Sequence, residues 1–269
     1  MNILLLRLEA PLMSFGAPIV DRHGVIQPYP ALSMLTGLLG NALGYDHAEA
    51  ERLEHLQERL RYAVRQDRAG RQIQDYQTVD LSKPYMDDDR AWTTRGALEK
   101  RKGGSASTGT HIRLRDYWAD AIYTVALALT APGEAPTLEA LAEAVQHPAR
   151  PLFIGRKPCL PSAPLYAGQM QSDNLLSALR NAAPALRAAP HGDDDSDDGV
   201  DGYDTFRAWW PSAPSGDDDD DAPRDEGMSE DMRRPVTDRR DWTNQIHTGE
   251  RWVAEGQITV TEHATPCDD

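Results

Sequence analysis

The segment LFIGRKPCLPSAPL, residues 152–165, places one glycine and two cations directly after a short hydrophobic run. Gly155 has no Cβ, so another backbone can approach it closely. Arg156 and Lys157 can then make charge-assisted hydrogen bonds to phosphate oxygens. The alternative interpretation is a β-turn that carries two surface cations. The segment lacks the P-loop pattern GxxxxGKS/T, so nucleotide hydrolysis is not indicated.

A second concentration of positive charge lies between residues 90 and 115, where the one acidic residue is Glu99. Such a local excess of cations is typical of a surface that binds a polyanion, although a solvated basic loop has the same composition. Its cations are Arg90, Arg95, Lys100, Arg101, Lys102, Arg113 and Arg115. Arg113 and Arg115 lie two positions apart, so on a strand they face the same side. We expect Asp116 to pair with one of them, and Tyr117 to belong to the core.

Several other side chains suit the same chemistry. Ser14, Phe15 and Gly16 follow the first predicted strand, and Ser33 is predicted to cap a helix. Hydroxyl groups and backbone N–H groups at such positions can bind phosphate. Trp92 can stack on an unpaired base or anchor its own hairpin to the protein body.

The composition limits the class of protein. The chain has 269 residues, enough for one large or two small domains with a hydrophobic core. Its longest apolar runs, such as 3–6 and 125–129, are too short to span a bilayer, and the N-terminus has no signal-peptide pattern. Two cysteines form neither a disulfide framework nor a zinc site, so we predict a cytosolic protein without metal or cofactor.

Negative charge is confined to the end of the chain. Residues 1–190 contain 21 Lys and Arg and 20 Asp and Glu, whereas residues 191–269 contain 7 and 23. The acidic runs HGDDDSDDG (191–199) and SGDDDDDAPRDEG (215–227) repel themselves and bury nothing, so we expect them to be disordered. We therefore divide the chain into a domain over 1–190 and an acidic C-terminal region over 191–269. The net charge of −15 does not exclude a nucleic-acid partner.

The order of elements predicts an α+β fold. Hydrophobic patterns and turn residues predict strands at 2–8, 61–67, 72–81, 119–129 and 152–156, with 61–67 and 72–81 as a paired hairpin. Helices are predicted at 34–44, 47–60 and 138–148, the last capped by Thr137. Gly37 and Gly40 indicate a close approach of the first helix to a sheet or ligand. Without residues 82–114, the order is β-α-(α)-β-β-α-β, a ferredoxin-like (RRM-like) antiparallel sheet with two backing helices.

Several sequence blocks of this chain resemble one known family. They are ILLLRLEAPLMSFG, YPALSMLTGLLGNALG, DYQT, RLRDYWADAIYTVAL and LFIGRKPCLPSAPL, in this order and spacing. Together they resemble the Cas-five family, in particular the CasD subunits of type I-E CRISPR Cascade complexes, over residues 1–185.

The resemblance implies a concrete function. It implies a ferredoxin-like domain with a long β-hairpin thumb, here residues 82–114. It also implies a subunit that grips the 5′ handle of the CRISPR RNA, caps the filament of backbone subunits and contacts the large subunit, which serves RNA-guided targeting of DNA in antiviral defence. The implied subunit is not an enzyme. On this basis Gly155, Arg156, Lys157, Ser14–Gly16, Ser33, His111 and the cations and tryptophan of the basic segment are the expected RNA contacts.

Two other hypotheses stay open. Type I-C relatives cut the repeat RNA without a metal, which needs a general base and a general acid; the candidates here are His111, Tyr117, Lys102 and His23. Alternatively, the acidic tail mimics nucleic acid or binds metal, although its aspartate runs lack the spacing of calcium loops. The tryptophans at 209–210, 242 and 252 indicate ordered segments in the tail, which either dock on the large subunit or complete the domain.

Overall fold

The structure, a computed structural model, describes residues 1–17, 23–80, 90–92, 98–100, 110–185, 205–213 and 228–260. Its helices are α1 (Leu32–Ala42), α2 (Ala50–Arg59), α3 (Leu138–Gln146) and α4 (Leu175–Asn181). Its strands are β1 (Asn2–Glu9), β2 (Leu12–Met13), β3 (His23–Gly24), β4 (Leu60–Arg68), β5 (Arg71–Asp80), β6 (Arg90–Trp92), β7 (Leu98–Lys100), β8 (Thr110–Ala119), β9 (Ile122–Leu129), β10 (Tyr166–Gln171), β11 (Thr205–Ser212), β12 (Met228–Val236), β13 (Arg239–Asp241), β14 (Ile246–Thr248) and β15 (Arg251–Thr259). The fold is mixed α/β, built around a large antiparallel sheet.

In the described part of the chain, seven strands form the main sheet in the order β10-β1-β9-β4-β11-β15-β12. Both faces of this sheet are covered. Leu4, Leu6 and Leu8 of β1 belong to one core cluster, and Ile3 and Leu5 belong to a second cluster on the opposite face. A strand buried on both sides needs apolar residues at every position, which explains why β1 does not alternate.

The helices are divided between these faces. α1 and α3 pack on the Leu4 face, and α4 packs on the Ile3 face. The predicted cap of α3 is confirmed, because Thr137 Oγ accepts a hydrogen bond from the backbone N–H of Ala140 at 3.2 Å. Gly40 permits a close approach of α1 to α2, since a Cβ there would lie 2.5 Å from Cδ2 of Leu53.

The chain passes from the main sheet to a second sheet at Gly70, which has φ +63° and lies against the backbone of Ala119. In the second sheet β8 pairs with β2, β3 and β5. β5 and β8 form a ribbon of ten residue pairs, from Arg71↔Ala119 to Asp80↔Thr110. The predicted hairpin of 61–67 with 72–81 is therefore wrong, because β4 pairs with β9 and β11 instead.

The prediction of a strand at 152–156 is also wrong. These residues are irregular, although Leu152 and Ile154 are buried as the hydrophobic run requires. The strand at this edge of the main sheet is β10, which pairs with β1. Gly155, Arg156 and Lys157 therefore lie in a loop and are not paired with a neighbouring β-strand.

The tryptophan-containing C-terminal segments are strands of the main sheet. β11 pairs with β4, and β15 pairs with β11 and β12. Trp209 and Trp210 are each 1% exposed, one on either face of the sheet. The sheet thus continues across the boundary that the sequence placed at residue 190. The acidic runs 191–199 and 215–227 lie outside the described residues.

None of the helices in the described ranges is long and apolar enough to cross a membrane.

Candidate nucleic-acid interface

A groove of about 890 Å³ runs beside α1. It brings together three of the sequence segments singled out above, and the segment at 155–157 is more than a hundred residues from the other two in the chain. The predicted site residues that line it are Ser14, Gly16, Ser33, Gly155, Arg156 and Lys157. Its further cations are Arg150 and Arg240, and Asp46 is its one carboxylate among the described residues. An anionic ligand is therefore favoured over a cationic one.

Gly155 is required by the fold itself. Its φ is +94°, and a Cβ at this position would overlap the carbonyl oxygen of Ser14. The loop is joined to the same segment by the hydrogen bond from Ser14 N to Ile154 O, at 3.2 Å. The sequence interpretation explained this glycine by the approach of a ligand backbone. In the structure the close neighbour is Ser14, because the two segments must touch to form this end of the groove.

Arg156 reaches across to the second sheet. Its Nη1 donates to the backbone oxygen of Asp116 at 3.0 Å, and its Nη2 donates to the oxygen of Gly24 at 3.1 Å. The guanidinium lies over the ring of Tyr117, 4.9 Å from the centroid. These contacts fix the direction of the side chain while its positive charge stays at the groove. Lys157, the next residue, is exposed.

The three residues after β1 differ in their environment. Phe15 is fully buried and packs edge-on against Tyr123, with ring centroids 5.1 Å apart, so its ring belongs to the core and not to a ligand surface. Ser14 is 2% exposed, and its Oγ has no hydrogen-bond partner among the described residues. Gly16 has no atom within 4 Å of the place of a Cβ, so open space adjoins it.

Ser33 is not the cap of α1. The helix begins at Leu32, and Asp238 takes the capping role: its Oδ2 accepts from Leu32 N at 3.0 Å and its carbonyl accepts from Ser33 N at 3.0 Å. The local prediction failed because the helix begins before Ser33, and a residue more than 200 positions away caps it with one carboxylate oxygen and its backbone carbonyl. Two N–H groups of this helix end are therefore not free to bind a ligand.

Asp238 is itself held by Arg251. Nε of Arg251 donates to Asp238 Oδ1 at 2.8 Å, and Nη2 donates to Oδ2 at 2.7 Å and also contacts the hydroxyl of Tyr62. Burial lowers the pKa of Arg251, but the neighbouring oxygens of Tyr62 and Asp238 more than offset this effect and the net pKa is raised. Arg251 therefore stays charged, and its bonds to Asp238 tie β15 to α1.

The second sheet carries Arg113 and Arg115, which are partly buried. The expected pairing of Asp116 with one of them is wrong: its carboxylate accepts from Gln74 Nε2 at 3.0 Å and lies 2.9 Å from Nε2 of His23. Neighbours on a strand point to opposite faces, so Asp116 faces away from both arginines. Tyr117 is 3% exposed, in agreement with the prediction that it belongs to the core.

The opposite wall of the groove comes from the C-terminal hairpin β13–β14, which sequence reasoning missed. Arg240, Trp242 and His247 line the groove. The hairpin is fixed to α2 by Gln57, whose Nε2 donates to Arg240 O at 2.9 Å and whose Oε1 accepts from Arg240 N at 3.0 Å. Trp242 lies against Gly37 of α1, 3.5 Å from the place of a Cβ. In the sequence, Trp242 was the one residue that indicated an ordered segment at this position.

The basic segment is only partly described. Arg90 and Trp92 lie in β6, Lys100 in β7 and His111 in β8, and their side chains are outside the described part. Arg95, Arg101 and Lys102 lie outside the described residues. Their contacts stay predictions.

Metal ligation has no candidate in the part of the chain that the structure describes, where no three His, Cys, Asp or Glu side chains form a metal-binding group. Cys159 is buried, and burial raises the pKa of its thiol. This cysteine is therefore kept as a neutral thiol.

Known proteins of one family are similar to this chain. A family model described as "CRISPR-associated protein (Cas_Cas5)" matches residues 3–254. The curated relative "CRISPR system Cascade subunit CasD" of Escherichia coli (strain K12) is 32% identical over 185 residues, which cover 68% of this chain and 78% of the relative.

Two solved structures have a similar fold. A chain of a "CRISPR RNA-guided surveillance complex" aligns with a TM-score of 0.63 at 19% identity, over 97% of this chain and 92% of that chain. The "Crystal structure of Cas protein" aligns with a TM-score of 0.57 at 24% identity, over 99% and 98%. At these identities the likeness concerns the fold.

Proposed function

This chain belongs to the Cas-five family of CRISPR-associated proteins, and from that premise we propose that it is a non-catalytic subunit of a type I-E CRISPR Cascade complex. In this role it binds the 5′ handle of the CRISPR RNA, caps the filament of backbone subunits and seats the large subunit. The assembled complex then targets DNA by guide RNA in antiviral defence.

The observation that carries the proposal is the convergence of six predicted phosphate-binding residues on one groove. Ser14, Ser33 and Arg156 come from three separate parts of the chain. A groove that mixes glycine backbone, hydroxyl groups and cations suits a single RNA strand, because both its phosphates and its unstacked bases need contacts.

The fold supports the same function. The strands β10-β1-β9-β4, with α1 between β1 and β4 and α3 between β9 and β10, follow the ferredoxin-like order, which we assign to this part of the sheet. The β5–β8 ribbon flanks residues 81–109 on both sides, so we propose that it carries the thumb of the family, which the sequence predicted at residues 82–114. Ribbon and groove adjoin at Arg156, which bonds the backbone of β3 and β8.

Binding in this way positions the subunit without reading the guide. Phosphate contacts fix register and orientation, while base pairing between guide and target supplies sequence specificity. The affinity for RNA should therefore fall steeply with salt concentration.

The rival function is metal-independent cleavage of the repeat RNA. It has one observation in its favour, the contact of His23 with the buried carboxylate of Asp116, which is how a general base is often oriented. However, Tyr117, one of the candidates for the second group, is buried under Arg156. Binding is the function that the described residues support best.

A binding and cleavage assay with a CRISPR repeat RNA in EDTA tests the proposal. We expect the wild type to retain the RNA uncut, and Arg156→Ala/Lys157→Ala to bind more weakly with a smaller dependence on salt. Arg61→Ala/Arg71→Ala is the matched control, since it also removes two cations but neither lines the groove. Cleavage by the wild type that is lost in His23→Ala would establish the rival function. Equal losses in both double variants would refute the groove as the binding site.

A further inference from the structure

Gly24 on β3 lies between two guanidinium groups. A Cβ at this position would lie 2.6 Å from Nη1 of Arg115 and 2.8 Å from Nη2 of Arg156. These two nitrogen atoms are therefore no farther apart than the sum of those distances. The absence of a side chain at Gly24 lets arginines from two different segments meet over a single residue.

No carboxylate compensates the two charges among the described residues. Asp116 directs its oxygens to His23, Gln72 and Gln74. Asp75, which is opposite Arg115 in the β5–β8 register, accepts a hydrogen bond from Gln77 instead. Arg115 makes no hydrogen bond or ion pair with the described residues, and it is only partly exposed. Two like charges held this close repel each other, so an anion between them is favoured.

The position of the two arginines is built into the fold. Arg156 is fixed by its bonds to the carbonyls of Asp116 and Gly24 and by the ring of Tyr117. Arg115 is fixed at its backbone, because β8 pairs with β5 on one side and with β3 on the other. The contact of His23 with Asp116 holds β3 in place from the other face. A site that is ordered before its ligand arrives loses little entropy on binding.

We propose that Arg115 and Arg156 together bind one phosphate group over Gly24. The proposal rests on the RNA-binding function above and adds that one particular backbone phosphate, rather than a diffuse charge, is bound where ribbon and groove adjoin. Guanidinium groups donate in a planar fork that matches phosphate oxygens, and two forks can share the oxygens of one group. Arg113, two residues away on the same face, has no such partner among the described residues and is the matched control.

The first test is a double-mutant cycle measured by repeat-RNA affinity. We expect Arg115→Ala to weaken binding roughly tenfold, and Arg156→Gln, which keeps an amide donor for the carbonyls, to have a similar effect. If both bind the same phosphate, the double variant loses clearly less than the product of the single losses. When Arg113→Ala is combined with Arg156→Gln, the fold-loss in affinity should equal the product of the two single losses. Multiplicative losses in both cycles would overturn the proposal.

A second test locates the phosphate. A series of repeat RNAs is prepared in which one neutral methylphosphonate linkage replaces a different handle phosphate in each. At one position the substitution should lower the affinity of the wild type. At that position it should leave the affinity of the Arg115→Ala/Arg156→Gln variant unchanged. A loss spread evenly over the handle, or the same profile in both proteins, would contradict a single phosphate site.

A third test separates this proposal from the RNA-binding function. Inorganic phosphate is titrated at constant ionic strength, and the Nε–Hε signals of the arginines are followed by NMR. Signals of Arg115 and Arg156 should shift together and that of Arg113 should not. If they shift while wild type fails to bind repeat RNA, the RNA-binding function is wrong and the anion site stands. If they do not shift, the anion site is wrong whatever the RNA does.

Discussion

Asp238 caps a helix that begins 206 residues earlier, through a 3.0 Å hydrogen bond from the backbone N–H of Leu32 to its carboxylate. The same carboxylate binds Arg251 of β15. The helix that forms the floor of the groove is thus ordered by the last strands of the main sheet. The groove and the C-terminal region therefore form one structural unit.

The first prediction concerns this pair. Asp238→Ala leaves Arg251 buried without its carboxylate and α1 without its cap, so we expect the free energy of unfolding to fall by about 3–5 kcal/mol. Asp238→Asn keeps an acceptor for Leu32 N–H and should cost less. Urea denaturation measures both. Glu143→Ala removes a partner from the exposed pair with His147 and should change little; an equally small loss for Asp238→Ala would contradict the prediction.

Gly155 is the subject of the second prediction. Gly155→Ala combines a positive φ with overlap on the carbonyl of Ser14. We expect a loss of at least about 1–3 kcal/mol in thermal or urea unfolding, because the loop must move away from β2. Gly16→Ala is the matched control, since open space adjoins it. Similar stabilities for the two variants would show that the close approach is not required.

Lys157 gives a prediction on salt dependence. It is exposed at the groove and forms no hydrogen bond or ion pair with the described residues. Lys157→Ala should weaken RNA binding a few fold for every sequence tried, and the slope of log K against log salt should become less negative by roughly 0.7. The measurement is a binding titration at several salt concentrations. Arg71→Ala changes a residue away from the groove and should leave the slope unchanged. If instead Arg71→Ala makes the slope less negative and Lys157→Ala does not, the RNA phosphates bind outside the groove.

Gln57 gives a prediction on the groove wall. Its side chain pairs with both the N–H and the C=O of Arg240. Gln57→Ala removes this partner from two partly buried groups, which costs at most about 1–3 kcal/mol. Hydrogen exchange at the Arg240 amide should accelerate, while exchange in β1 changes only with global stability. Equal acceleration in both places would mean that Gln57 supports the whole fold rather than the hairpin.

Local sequence patterns were sufficient where the determinant of structure is itself local. The cap at Thr137 and the strand of Ile3 and Leu5 need only neighbouring residues, and both are present. The run 152–156 misled because a short apolar segment is equally suited to a buried loop, and its conformation is fixed by the contact of Gly155 with Ser14.

Long-range partners set the limit of sequence reasoning. β4 pairs with β9, which lies about sixty residues later in the chain. The hydrophobic pattern identifies the strands but does not show which of them is the partner, so the adjacent β5 was predicted instead. Ser33 has the residue type of a helix cap, but the helix begins one residue before it, at Leu32, and Asp238 accepts from the N–H groups of Leu32 and Ser33. The six residues that share the groove were found because their chemistry, glycine, hydroxyl and cation, is visible residue by residue. Phe15 was predicted as a site residue with them because the sequence alone does not show that its ring is buried.

The contribution of β13 and of Asp238 to the groove has a consequence for synthesis on the ribosome. A nascent chain that has reached residue 185 already contains Ser14, Arg115 and Arg156, but α1 still lacks its cap and the groove lacks a wall. β4 meanwhile presents an edge that, in the part of the chain that the structure describes, β11 covers. For the RNA-binding function proposed above, an ordered groove is available only after nearly the whole chain has been translated, so an interrupted polypeptide should compete poorly with a finished one for CRISPR RNA.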